Sequence, residues 1–268
     1  MKIRLISRLE IKGRSVVKGI RMEGLRVVGT PGDLMEKYFR GGIDEIIFID
    51  TVASLYGRNN LSEIVSMAAD YIFVPLTVGG GVRSMDDFYR LLRAGADKVS
   101  INTHAFSEPE LITQAAKAFG SQCVVVSIQA KHKEGRFEPF TDNGRQRTHR
   151  DAVEWVREVV DRGCGEILLT SVDRDGTCHG LDHDLIKAVA DAVNVPVIAA
   201  GGSRDTADIA QAVLKDGASA VAVSHLLHFG KTDVATLKTE LAAAGISVRM
   251  DPRLHDALAG LSQGGRQA

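Results

Sequence analysis

The chain has little with which to build a disulfide framework, a membrane span or a polyanion-binding surface. Its 268 residues hold three cysteines, Cys123, Cys164 and Cys178, an odd number that fits reduced thiols better than paired ones. Its apolar runs, such as CVVVSI, are of strand length and are interrupted by glycine or charge, too short for a bilayer or a secretory signal. Lys and Arg number 33 against 34 Asp and Glu, with no basic block and no ladder of aromatics, so nucleic acid is not an expected partner. These absences point to a cytoplasmic protein that works on small molecules, with no metal, no cofactor and no membrane.

What is present is a duplication. PLTVGGGVRSMDD at 75–87 returns as PVIAAGGSRDTAD at 196–208, GADKVSIN at 95–102 as GASAVAVS at 217–224, and GIDEIIFID at 42–50 as GCGEILLTS at 163–171. A period near 121 residues is a half-domain rather than a solenoid unit. Each half holds four β-rich runs: LISRLEI, IIFID, FVPLTV and KVSIN, then CVVVSIQ, EILLT, VPVIAA and AVAVS. Helix-start chemistry lies between them, with Thr30-Pro31, and with Ser84 and Ser107 each followed three residues later by an acid, Asp87 and Glu110. Strand then helix, eight times, in two matching halves, predicts an α/β fold, a (βα)8 TIM barrel of two (βα)4 halves. Residues 1–250 are expected to form this single barrel, the halves meeting near 121 and 122, with 251–268 as a flexible tail.

In such a barrel the loops after the strands build the functional face. Two long ones, at 12–29 and 130–148, follow strands 1 and 5, equivalent places in the halves; they read either as substrate-contacting lids or as plain β-hairpins. Gly80 and Gly81, and Gly201 and Gly202, follow strands 3 and 7, where the lack of a Cβ lets backbone N–H groups approach an anion. Asn102 and Thr103, and Ser224, close strands 4 and 8 with further polar groups. One phosphate cradle in each half implies a small ligand phosphorylated at both ends. His179 and His183, with Gly180 between them and no completing carboxylate, read as surface residues rather than metal ligands. Trp155 falls at helical spacing and reads as packing.

LEIKGRSVVKG, LTVGGGVRS, GADKVSINT, FGSQCVVVSI, GEILLTSVDRDGT, VIAAGG and HFG resemble the cyclase (HisF) subunit family of imidazole glycerol phosphate synthase, from about residue 2 to 250. The resemblance implies a two-phosphate ribulosyl aminoimidazole carboxamide nucleotide as substrate, and ammonia from a HisH-like glutaminase subunit docked at the N-terminal face of the barrel. It further implies roles for Lys18 in ordering the first loop over the ligand, and for Asp50, Asp175 and Gly176 in ligand contact. The family places a catalytic Asp at the ends of strands 1 and 5. Here those positions hold Glu10 and Gln129. A carboxylate displaced by about 1 Å can cost on the order of 100-fold in rate, and an amide cannot titrate, so a general-acid step would lose about 10²- to 10⁴-fold.

At the opposite end, Arg4, Glu45, Lys98 and Glu166 occupy the starts of strands 1, 2, 4 and 6. Two cations and two anions there make either a salt-bridged plug or, by the resemblance, the gate through which ammonia enters. With that set complete and both aspartates replaced, the first expectation is an altered or weakened cyclase that binds a phosphorylated ligand and passes ammonia on, with sugar amidation for surface polysaccharides as one outlet. An orthodox cyclase of histidine biosynthesis, in which Glu10 and a neighbouring Asp suffice, is the alternative. A non-catalytic activator of the glutaminase and a related phosphoribosyl isomerase are further readings.

Overall fold

The computed structural model describes residues 2–53, 61–69 and 71–250, so the tail expected after 250 lies outside the described residues. Eight parallel strands close on themselves in the order β1 (Arg4–Lys12), β4 (Glu45–Asp50), β5 (Leu76–Gly79), β6 (Lys98–Ile101), β7 (Val124–Lys133), β10 (Glu166–Ser171), β11 (Val197–Ala200) and β12 (Ala220–Val223), and β12 returns to β1. The (βα)8 barrel expected from the duplication is the fold. Around it lie α1 (Pro31–Arg40), α2 (Leu61–Ala69), α3 (Met85–Arg93), α4 (Thr103–Ser107), α5 (Glu110–Phe119), α6 (Ala152–Asp161), α7 (His183–Ala190), α8 (Thr206–Leu214), α9 (His225–His228) and α10 (Val234–Ala243). Among the described residues no helix is long and apolar enough to cross a membrane.

Both long loops are β-hairpins. β2 (Ser15–Ile20) pairs antiparallel with the outer end of β1 and with β3 (Glu23–Gly29); β8 (Arg136–Thr141) does the same with the outer end of β7 and with β9 (Gln146–Arg147). The halves thus carry matching projections above strands 1 and 5.

Strand alternation sorts the residues into two cores. Leu5, Leu9, Ile11, Phe48, Val78, Val99, Val126 and Ile128 face the helices in the large cluster. Ile6, Ile47, Ile49, Val125, Leu168, Ile198, Ala200, Ala220 and Ala222 form a separate cluster inside the barrel. Trp155 is fully buried against the barrel, stacked on Phe106 at 4.3 Å between centroids, as its spacing suggested.

Helix starts follow their sequence signals in two of three cases. Thr30 accepts from the backbone N–H of Asp33 ahead of Pro31, and Ser84 with Asp87 forms a complete capping box. Ser107 is the exception. It ends α4, where its hydroxyl donates to His104 O at 3.1 Å, and α5 starts after Pro109 with no side-chain cap. Pro109, at φ −60, is already in helical geometry, so the turn forms without the box.

Near the barrel floor, α10 is tied down by a buried ion pair. Lys238 is 1% exposed, and its Nζ donates to Asp44 Oδ1 (2.6 Å), Gly42 O (2.6 Å) and Arg249 O (2.8 Å), while Asp44 Oδ2 accepts from Leu5 N at 2.8 Å. Removing one partner of such a pair leaves the other charge buried and uncompensated. Lys238→Met is therefore expected to lower stability by about 3–5 kcal/mol in urea unfolding, and a loss under about 1 kcal/mol would show that the pair behaves like an exposed one.

Candidate functional site

The inward-facing residues of the strands stack in layers from floor to mouth. At the floor, Arg4 Nη1 meets Glu45 Oε2 at 2.7 Å, and its other nitrogen Nη2 bonds Glu166. Lys98 Nζ bridges the same two carboxylates, at 3.0 Å to Glu45 Oε1 and 2.7 Å to Glu166 Oε2. Thr77 Oγ1 donates to Glu45 at 2.9 Å. Each cation touches both anions, so the four residues close a neutral ring. Burial works against the charge of Arg4, but Glu166 and Glu45 outweigh it, and its pKa is raised. Above the ring lies the apolar layer of Ile6, Ile47, Val125, Leu168, Ile198 and Ala220.

The next layer holds a residue that motif reading passed over. Arg8 points inward from β1 and is 2% exposed; its Nη1 donates to Thr170 Oγ1 at 2.9 Å on β10, three strands away around the barrel. The small side chains of Ala200 and Ala222 leave it room, and Arg8 lines a cavity with both. Its other nitrogen, Nη2, lies 3.1 Å from Glu10 Oε1. Parity was the available signal: Arg4, Ile6, Arg8 and Glu10 share one face of β1.

Lys18, brought over the mouth by the β2–β3 hairpin, completes a second neutral set. Its Nζ donates to Glu10 at 3.0 and 3.1 Å and to both oxygens of Asp175 at 2.9 Å. Burial disfavours this ammonium, yet Asp175 and then Glu10 raise its pKa overall. The hairpin is fastened further by Arg21 N donating to Asp175 O at 2.7 Å. Gly176 lies so close to Gly19 O that a Cβ there would come within 2.1 Å of it.

Among the described residues two cavities flank the barrel axis at the mouth, one beside each pair of glycines. The larger, about 110 Å³, is lined by Asp50, Gly80, Gly81, Arg83, Asn102, Thr103 and His104 on its rim, with Ser100, Ser127 and Gln129 deeper. Buried Ser100 Oγ, Asn102 Oδ1 and Gln129 Oε1 have no hydrogen-bond partner among the described residues. The smaller, about 10 Å³, is lined by Gly176, Gly201, Gly202, Ser203, Ser224 and His225 together with Arg8, Lys18 and Asp175. The halves repeat their backbone here. A Cβ on Gly80, at φ +101, would sit 2.4 Å from Asp50 O, and one on Gly201, at φ +92, would sit 2.6 Å from Ser171 O. Asn102 and Ser224 precede α4 and α9 with nearly the same non-helical backbone, and neither caps its helix.

The residues singled out in the sequence thus gather at two places on the barrel axis. His183 departs from its expected surface position: it is half-buried, with Nδ1 2.6 Å from Asp216 and Nε2 3.1 Å from Asp208. No group of three or more potential metal ligands occurs among the described residues. Cys164 is buried with its thiol pKa pushed up to about 12, chiefly by desolvation, so it is inert.

The histidine biosynthesis protein profile matches residues 4–233. Three curated relatives bear the name imidazole glycerol phosphate synthase subunit HisF. One from Legionella pneumophila is 57% identical over 75% of this chain and 95% of its own length. Those from Myxococcus xanthus and Hyphomonas neptunium are each 49% identical, over 92% and 93% of this chain and 97% and 99% of theirs. The chain belongs to the HisF family. Within that family frame the floor ring and the two cavities lie at opposite ends of one HisF barrel, and the resemblance first carried by short motifs extends over nearly the whole described chain.

His228 joins α9 to β1 beneath the mouth. Its Nε2 lies 3.1 Å from Arg8 O and its Nδ1 2.7 Å from Tyr38 Oη, so the neutral ring donates to one and accepts from the other. Burial, then the charge of Lys18, pushes its pKa down to about 4. The unfolded chain takes up this proton below about pH 6.5, the folded one only near 4. The stabilisation is thus present above pH 6.5 and lost as pH falls toward 4. Between pH 7 and 4.5 the wild type should lose about 2–3 kcal/mol more than His228→Gln in urea unfolding; equal losses would contradict a buried neutral imidazole.

Proposed function

We propose that this chain is the ammonia-consuming cyclase subunit of an imidazole glycerol phosphate synthase. A HisH-like glutaminase would dock over Arg4, Glu45, Lys98 and Glu166, and the two-phosphate ribulosyl nucleotide would lie across the mouth. One phosphate would sit at Gly80, Gly81, Asn102 and Thr103, the other at Gly201, Gly202 and Ser224. Lys18, Asp175 and Gly176 would close over the ligand. The observation that carries this reading is the 49–57% identity to three proteins bearing that subunit name, with coverage of nearly their whole length. Those names favour the orthodox synthase reading over the altered, sugar-amidating one expected first.

Arrangement and chemistry agree with it. Glycines at positive φ bring backbone N–H groups close to an anion, and hydroxyl and amide groups stand beside them. Unpartnered polar atoms on the wall of the larger cavity need a polar ligand or water to complete them. The floor ring is neutral and tightly paired, so a neutral ammonia molecule would meet it without a charge penalty, whereas an ammonium ion would disturb the pairing.

Two outcomes are expected with purified protein. It should convert the ribulosyl nucleotide to imidazole glycerol phosphate and the aminoimidazole carboxamide ribonucleotide with ammonium supplied at alkaline pH. Mixed with its glutaminase, and with the nucleotide present, it should speed glutamine hydrolysis by about 5- to 150-fold. Absence of product in both formats would overturn the reading; stimulation without product would leave the chain an activator only.

A further inference from the structure

Proton transfer in this barrel needs a titrating group that faces the ligand cavity, and neither position matched to the family's aspartates supplies one. Gln129 reaches the cavity wall but carries an amide. Glu10 carries the carboxylate but not the access. It is 3% exposed and absent from the walls of both mouth cavities; its oxygens accept from Lys18 at 3.0 and 3.1 Å, and Arg8 Nη2 lies 3.1 Å from its Oε1. Asp175 is held by the same Lys18. Asp173, on the outer rim, accepts from His132 N and lines neither cavity.

One carboxyl group remains. Asp50, at the end of β4, is the sole acid among the described residues lining the larger cavity, whose wall it shares with Gln129, Ser100 and Ser127. Its hydrogen bonds come from the backbone N–H groups of Val52 (2.9 Å) and Ala53, and among the described residues no cation lies within ion-pair distance. Among the described residues the charged and titratable groups around it are Arg83, which donates to Ala53 O, His104 on the same cavity, and Glu10 and Lys12 flanking its β1 partner Ile11.

We propose that Asp50 is the proton-transferring residue of this chain, and that Glu10 has become a counter-ion locked between Arg8 and Lys18. The proposal rests on the ammonia-consuming reading above. When ammonia adds to the carbonyl carbon of the open-chain ketose, a C–N bond forms and the C–O bond breaks. The nitrogen gives up two protons and the departing oxygen takes up two, each relayed through Asp50. One water leaves, C=O has become C=N, and Asp50 ends in the protonation state in which it began. Burial raises the carboxyl pKa of Asp50 above its ordinary value despite the two backbone donors, toward the range in which an acid–base relay is efficient.

Asp50→Asn separates this role from a structural one, because the amide oxygen can still accept from Val52 N while titration is lost. With ammonium as nitrogen source, kcat should fall by about 10²- to 10⁴-fold with KM little changed, the limb of the pH–kcat profile due to Asp50 should vanish, and Asp50→Glu should restore part of the rate. Glu10→Gln should weaken the fold toward urea but keep the shape of the profile. Turnover in the unaltered chain that survives Asp50→Asn, or a profile that loses a limb in Glu10→Gln, would overturn the proposal alone. No turnover in the unaltered chain would overturn the underlying reading and the proposal together.

Discussion

An ionised side chain buried inside a closed parallel barrel is largely cut off from bulk water, and the strand N–H and C=O groups are already engaged with neighbouring strands, so a counter-ion among nearby buried side chains is what stabilises it. This barrel meets that constraint twice. Arg4, Lys98, Glu45 and Glu166 neutralise one another at the floor; Arg8, Lys18, Glu10 and Asp175 do so at the mouth. Between them lies the apolar layer that keeps the two sets apart. The second set also decides where the first hairpin rests, because Lys18 can be buried only while β2 is held against the Asp175 loop.

That arrangement makes a duplicated scaffold asymmetric. The glycine geometry at Gly80 and Gly201 is the same, and so is the backbone at Asn102 and Ser224. The interior differs. Ser100 and Ser127 line the larger cavity with polar groups, whereas Arg8 reaches toward Thr170 and lines the smaller one with Ala200 and Ala222. Arg8 beside Glu10 and an amide at Gln129 belong together physically: the inward charge of Glu10 is balanced on the spot, and Gln129 adds no charge to the opposite wall.

Much of this was legible in the sequence, for identifiable reasons. The 121-residue repeat stated the barrel, because two equal four-strand halves close on each other. The floor ring followed from four charges at strand starts, where parity turns each inward. Glu10 and Gln129 were visible as substitutions, but the isolation of Glu10 was not, since Arg8 lies outside every recognised motif and acts across three strands. Ser107 and Glu110 had the spacing of a capping box yet formed none, because Pro109 between them had already set the helical turn. His183 looked like a surface residue because Asp208 and Asp216, which hold it, lie 25 and 33 positions away.

The account as a whole requires that ammonia pass from floor to mouth inside the barrel and be consumed there. The most direct measurement is isotopic: glutamine labelled with ¹⁵N at its side-chain amide, supplied to the complex with its glutaminase in the presence of excess unlabelled ammonium at neutral pH. One of the two ring nitrogens of the imidazole product should carry the label well beyond its share of the total ammonium. Product labelled only in proportion to free ammonium, or label recovered entirely in solution with no imidazole formed, would contradict it.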